Sequence, residues 1–145
     1  MQADSVTVQK WTEFVVRLLS ASMNNRIIWK ETAASHTILT VVGDDTVSLS
    51  RFEDERSLDF VFEILDTFED KIDSFTQNDL DDRRVRQVGI IPSEGMNWHT
   101  VLDEFFRLQK RKISGADEAL DRMIAELPEP PPVKGSDIED DEIPF

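Results

Sequence analysis

The chain is predicted to be an α+β protein: an N-terminal helix, a four- to six-stranded antiparallel sheet, two C-terminal helices and a disordered acidic tail. Three observations carry this. Apolar residues recur at three- and four-residue steps over residues 5–23 and again between Trp98 and Leu127. Between those stretches the period falls to two, in short β-branched and aromatic runs separated by polar turns. Beyond Pro128 the apolar periodicity stops.

The first helix, residues 5–23, has Val8, Trp11, Phe14, Val15, Leu18, Leu19 and Met23 on one stripe. Asp4 or Ser5 is its expected N-cap, because either side chain can accept from the open amides of the first turn. "MNN" at 23–25 breaks the pattern. "RIIWKET", "HTILTVVG", "TVSLSRF" and "SLDFVFEILD" then read as strands, with a tight turn at Gly43-Asp44-Asp45. In the third of these, Val47 and Leu49 share one face and Ser48 and Ser50 the other. A shorter strand is expected around Ile72–Phe75 and a further one at Val85–Ile91. Short strands joined by polar turns indicate a meander with one buried face.

After Pro92 the helical period returns in Trp98, Val101, Leu102, Phe105, Phe106 and Gln109, with Ser93 or Asn97 as the expected cap. Gly115 interrupts it. A last helix restarts with Ser114 and Asp117 spaced as a capping box, and carries Leu120, Met123, Ile124 and Leu127. Both C-terminal helices are expected to cover one face of the sheet. The domain layout is therefore a globular body over 1–127, a proline-rich linker over 128–136 and an acidic tail over 137–145. "PEPPPVKGS" favours polyproline II, and its length would hold the tail roughly 25–30 Å from the last helix.

Charge constrains the partners. The net charge is −14; residues 1–127 hold 24 acids and 15 bases, and the remainder six acids and Lys134. An anionic body disfavours nucleic-acid binding, which depends on Lys and Arg neutralising phosphates. With no cysteine, disulfides, thiolate metal sites and a cysteine nucleophile are excluded. The first residues contain no secretory pattern and no apolar run is long enough to span a bilayer, so a cytoplasmic location without membrane attachment is expected.

Catalytic chemistry finds little support. His36 precedes a strand and His99 lies in the first turn of a helix, and both read as structural or surface residues. No phosphate-loop, zinc-protease or nucleophile-elbow pattern occurs. The acidic run "DSFTQNDLDD" (Asp73–Asp82) lacks the glycine and glutamate positions of a calcium loop and reads as a solvated loop. No cofactor and no metal are expected. Trp11, Trp29 and Trp98 lie on apolar stripes and read as core.

Two basic clusters interrupt the acidic background: Arg83, Arg84 and Arg86, and Arg107, Lys110, Arg111 and Lys112. The second complements a helix C-terminus. The sharper reading of both is a patch for nucleic acid or for the acidic tail.

The tail, "DIEDDEIPF", holds the most specific signal. A terminal Phe145 offers a ring for an apolar pocket and a carboxylate for a cation at its lip. Pro144 restricts the backbone before the ring, Ile143 suits a neighbouring groove, and Asp137, Glu139, Asp140, Asp141 and Glu142 steer toward a basic rim. "DDEIPF" resembles the acidic C-terminal tip of bacterial single-stranded-DNA-binding proteins, in which several Asp residues precede an aliphatic-Pro-Phe ending. Here Glu139 and Glu142 intervene, which keeps the carboxylates. The resemblance implies a docking peptide for replication, recombination and repair enzymes of the exonuclease, helicase and recombination-mediator classes. It covers nine residues, and the body has no match to that family's OB domain. Over "IIWKET" and "LDEFFRLQKRKISGADEALDRMIAEL" the body resembles small uncharacterised bacterial proteins, a likeness that supplies no function.

The expected function is a non-enzymatic adaptor or competitor, of bacterial or phage origin, that docks through this tail. The alternatives are a divergent single-stranded-DNA-binding protein with an autoinhibitory tail, and a small acidic inhibitor or immunity-type protein.

Overall fold

The computed structural model describes residues 4–90 and 97–132. They divide into two compact units, one ending at Ser114 and the other beginning at Gly115.

In the first unit, α1 spans Ser5–Met23. Of the two expected caps Asp4 is the one used, its carboxylate accepting from the Thr7 amide at 2.8 Å. The helix ends where Asn25 adopts φ 62°, a left-handed conformation that Asn tolerates better than most residues. The Arg26 amide then reaches the Ala21 carbonyl at 2.8 Å and closes the last turn. The inner face of α1 buries Val15, Val16, Leu18 and Leu19 with two hydroxyls, Thr12 and Ser22. Each hydroxyl donates to the carbonyl four residues back, so neither is left unpaired.

Five antiparallel strands follow in meander order: β1 (Lys30–Glu31), β2 (Thr37–Val42), β3 (Asp45–Glu53), β4 (Leu58–Leu65) and β5 (Lys71–Thr76). Strand alternation sets the faces. Ile38, Leu49, Phe62 and Phe75 form one row across four strands, and all are buried. Thr37, Ser50, Val61 and Thr76 form a row on the opposite face. The β2–β3 turn holds two residues, Gly43 and Asp44, with Gly43 at φ 64°. That positive φ suits glycine, which has no Cβ to clash.

Three sequence expectations are corrected here. In "RIIWKET" only Lys30 and Glu31 pair with a neighbouring strand. Trp29 is instead buried with its indole donating to Ser22 Oγ, and the Ile28 carbonyl accepts from Thr40 Oγ1 rather than from a ladder amide. The Asp73–Asp82 run is not a solvated loop: it is the end of β5, a 3-10 turn at Gln77–Asp79 and the entry to a second 3-10 helix, with Phe75, Gln77 and Leu80 buried. The strand expected at Val85–Ile91 is that second 3-10 helix, Asp82–Val88. Val85 and Val88 stand three residues apart, the 3-10 repeat, so both reach the core from one side. Ile91 lies outside the described residues.

The helix α2, Trp98–Ser114, buries all six residues of its expected stripe. Its cap is Asn97, whose side-chain oxygen accepts from the amide and hydroxyl of Thr100; Ser93 lies outside the described residues. The sheet's core face is thus buried by α1, α2 and the 3-10 segments.

In the second unit, α3 spans Ala116–Glu126. The expected Ser114–Asp117 capping box does not form. Gly115, at φ 68°, holds the cap position, and Ser114 Oγ turns back to the Arg111 carbonyl. None of the α3 residues is buried, and Met123 and Ile124 are 54% and 65% exposed. The residues from Pro128 to Pro132 are exposed and form no regular element. The rest of the linker and the expected acidic tail, 137–145, lie outside the described residues. Among the described residues no helix is long and apolar enough to cross a membrane.

Two substitutions test this core by urea denaturation. Phe62→Ala, in the middle of the buried row, should cost about 3–5 kcal/mol. Gln109 is buried on α2 and its Nε2 has no hydrogen-bond partner among the described residues. Gln109→Met keeps the shape, removes the unpaired donor and should stabilise by about 1 kcal/mol.

Candidate functional site

The basic clusters are the described part of the predicted site. Arg83, Arg84 and Arg86 lie on the second 3-10 helix, and Arg107, Lys110, Arg111 and Lys112 lie on the second half of α2. What the structure does with each cation decides what the clusters can bind.

In the first cluster, two of the three arginines are engaged internally. Arg83 Nε and Nη2 grip the two oxygens of Asp81 at 3.0 and 2.8 Å. Arg84 Nη2 donates to Glu13 Oε1 on α1 at 2.6 Å and also to Gln87 Oε1. Arg84 and Arg17 together hold Glu13 below the usual carboxylate range, the Arg17 hydrogen bond having the larger effect. Only Arg86 has no partner among the described residues.

The second cluster is similarly occupied. Asp103 accepts from Arg51 and from Arg107. Arg51 also pairs with Glu53, and these carboxylates raise its pKa against the lowering effect of burial, which is the largest single influence. Lys110 reaches Glu31 Oε2 at 2.8 Å and the Ser35 carbonyl at 3.1 Å. Lys112 donates to a neutral acceptor, Asn25 Oδ1, at 2.6 Å. An open concavity of about 640 Å³ lies over Arg51, Arg107, Lys110 and Arg111, with Glu104 among its walls. Interleaved carboxylates leave neither cluster as a continuous cationic surface of the kind that phosphate backbones require.

The acids of the Asp73–Asp82 run have structural work that sequence spacing did not reveal. Asp73 Oδ2 accepts from the Trp11 indole at 2.8 Å, while the Trp11 ring stacks on Phe75 at 5.0 Å. Asp82 Oδ1 accepts from the Trp98 amide at the start of α2. Asp81 does most. Its amide donates to Thr12 Oγ1, its carbonyl accepts from the Trp98 indole, and its carboxylate accepts from Gln9 and Arg83. Arg83 and then Gln9 hold the Asp81 carboxyl well below the usual carboxylate range. The Arg83 side chain is 86% exposed, so solvent screens that pair, and the Gln9 and backbone bonds matter more to the fold. Among the described residues, no group of three His, Asp or Glu side chains is gathered as for a metal ion. His36 and His99 are exposed, with rings against Phe52 and Phe60.

One feature escaped the sequence reading. An open groove of about 450 Å³ lies between the Arg26–Lys30 segment and β2, walled by Ile28, Leu39 and Val41 and flanked by Arg26 and Lys30. Neither cation has a carboxylate partner among the described residues. The signal was present: residues 14–43 contain a single acid, Glu31, in a chain that has 30.

Asp81→Asn should cost about 1–3 kcal/mol at neutral pH, through weakened charge-assisted hydrogen bonds. The carboxyl titrates lower folded than unfolded, so its stabilisation is fully present above the unfolded value of about 3.9 and is lost as pH falls through the folded value. Urea midpoints of the parent chain and of Asp81→Asn should therefore converge as pH drops below about 4. A constant gap across that range would show that the charge on Asp81 is not what the fold uses.

Comparisons with protein-family models, with curated proteins and with solved structures return no match to this chain.

Proposed function

We propose that the chain is a non-enzymatic adaptor, of bacterial or phage type, that docks onto enzymes of DNA replication, recombination and repair through residues 137–145. The observation that carries this reading is the sequence "DIEDDEIPF" set behind a proline-rich spacer. Phe145, taken as the terminal residue, places a ring and a carboxylate side by side, a pairing suited to an apolar pocket with a basic lip. Its partners are the exonucleases, helicases and recombination mediators that read the tips of single-stranded-DNA-binding proteins. By holding such an enzyme the chain either recruits it or displaces the tip it normally reads.

Internal pairing of the basic clusters supports this over the reading as a divergent single-stranded-DNA-binding protein. Arg83, Arg84, Arg107 and Lys110 each have a carboxylate partner, in a body with a marked excess of acids. A phosphate backbone would have to displace these carboxylates to reach the cations.

The test is fluorescence anisotropy of a labelled "DIEDDEIPF" peptide against a tip-reading exonuclease. The expected dissociation constant is in the micromolar class, about −8 kcal/mol. In the full chain, Phe145→Ala should weaken the interaction by about 10- to 100-fold, since burying a Phe ring is worth about 1.5–3 kcal/mol. Amidating the peptide's terminal carboxylate should weaken it further, and raising the salt should do the same. Unchanged affinity on Phe145→Ala rejects the proposal.

A further inference from the structure

We infer that the groove between Arg26–Lys30 and β2 is a second docking site, which takes an acidic peptide segment with aliphatic side chains from another protein. It concerns the body rather than the tail and stands independently of the tail reading. The argument begins with charge. Residues 14–43 contain Arg17, Arg26 and Lys30 against Glu31 alone, and Glu31 is already engaged by Lys110. Over these residues bases outnumber acids, against the acid excess of the whole chain.

The neighbouring concavities differ in kind. The one beside Lys10 and Arg84 includes Glu13, the one over α2 includes Glu104, and the one beside Arg83 includes Asp79 and Asp81. The groove at Arg26 and Lys30 has no carboxylate in its lining. Lys112 adds a third cation at the same end, since its ammonium bonds Asn25, the residue next to Arg26. With no carboxylate partner among the described residues, these cations are available to an external acid.

The walls select the kind of anion. Ile28 and Val41 are 65% and 61% exposed, and Leu39, two residues before Val41 on β2 and on the same outer face of the sheet, lines the groove with them. An aliphatic side chain laid on that floor removes apolar surface from water, while flanking carboxylates meet Arg26 and Lys30. A nucleic acid offers the charge but not the aliphatic contact, and the lining has no aromatic ring on which a base would stack. The peptide therefore fits both halves of the site and the nucleic acid only one.

The experiment uses the full chain and a labelled nonapeptide alternating Asp or Glu with Ile, read by fluorescence anisotropy. Three probes run in parallel: that peptide, its Asn/Gln counterpart, and a single-stranded oligothymidine. The acidic peptide should bind, and its affinity should fall at least tenfold in the double variant Arg26→Glu, Lys30→Glu, whose positions are exposed and leave the core intact. Val41→Ser should weaken binding about threefold or more, and amide shifts on titration should centre on Lys30, Leu39 and Val41. Equal binding of the Asn/Gln peptide, unchanged affinity in the double variant, or tighter binding of oligothymidine each overturns the inference. It is likewise overturned if the peptide binds only after the acids of 137–142 are neutralised, because the groove then serves the chain's own segment. Tail-to-exonuclease binding is measured separately, so failure here leaves the adaptor reading intact, and failure there leaves this site intact.

Discussion

The body of this protein depends on one short segment, Thr76–Asp82, and above all on Asp81. Every polar group of Asp81 is bonded, and the bonds reach α1, α2 and the following 3-10 helix. Its amide meets Thr12 on α1, its carbonyl meets the indole of Trp98 on α2, and its carboxylate meets Gln9 on α1 and Arg83 on the following 3-10 helix. Two helices far apart in sequence are thereby fixed to the end of the sheet through one residue. Buried apolar contact is non-directional and would tolerate many placements of α1 and α2. Hydrogen bonds are directional, and leaving them unmade is costly, so they select one placement. Gln77 extends the same logic into the sheet, its side chain accepting from the Phe60 amide and donating to Asp59 just beyond the last β4–β5 pair.

Electrostatics follow from the same economy of partners. The chain has nearly two acids for each base, yet the acids are not merely solvating charge. Asp4 and Asp81 cap helices, Asp79 closes the turn after β5, and Asp103 gathers Arg51 and Arg107. Basic residues in the sequence clusters are largely consumed in these pairings. Arg26 and Lys30 are among the cations left without a carboxylate partner among the described residues, and they lie where the local sequence is poor in acid. A cluster of basic letters in a sequence is thus a poor guide to surface potential when every neighbouring position can supply a counter-charge.

Much of the architecture was legible because it rests on local periodicity. The α2 stripe from Trp98 to Gln109, the Asp4 cap and the Gly43 turn each follow from spacing or from backbone chemistry that one segment carries by itself. The misread elements share a different cause. Val85–Ile91 has the composition of a strand, but Val85 and Val88 face the core at a spacing of three, which only the surrounding packing selects. Asp73–Asp82 looks like solvent-facing loop because its acids are dense, although their partners are Trp11, Gln9, Thr12 and Trp98, residues about 16 to 72 positions away. The α3 stripe is amphipathic, and amphipathic spacing states which face is apolar without stating what covers it.

By itself the sequence determined the α+β class, the meander and the helix stripes, since each is carried by neighbours in the chain. The tertiary structure decided which cations are spent on internal pairs and which are not. It also decided that an acidic run would become the joint between helices and sheet, and that Arg26, Lys30, Ile28 and Val41 would share one groove. Those outcomes depend on charges and side chains meeting across long sequence separations, where Coulomb attraction and hydrogen bonding act only at a few ångströms and only the folded chain sets the distances.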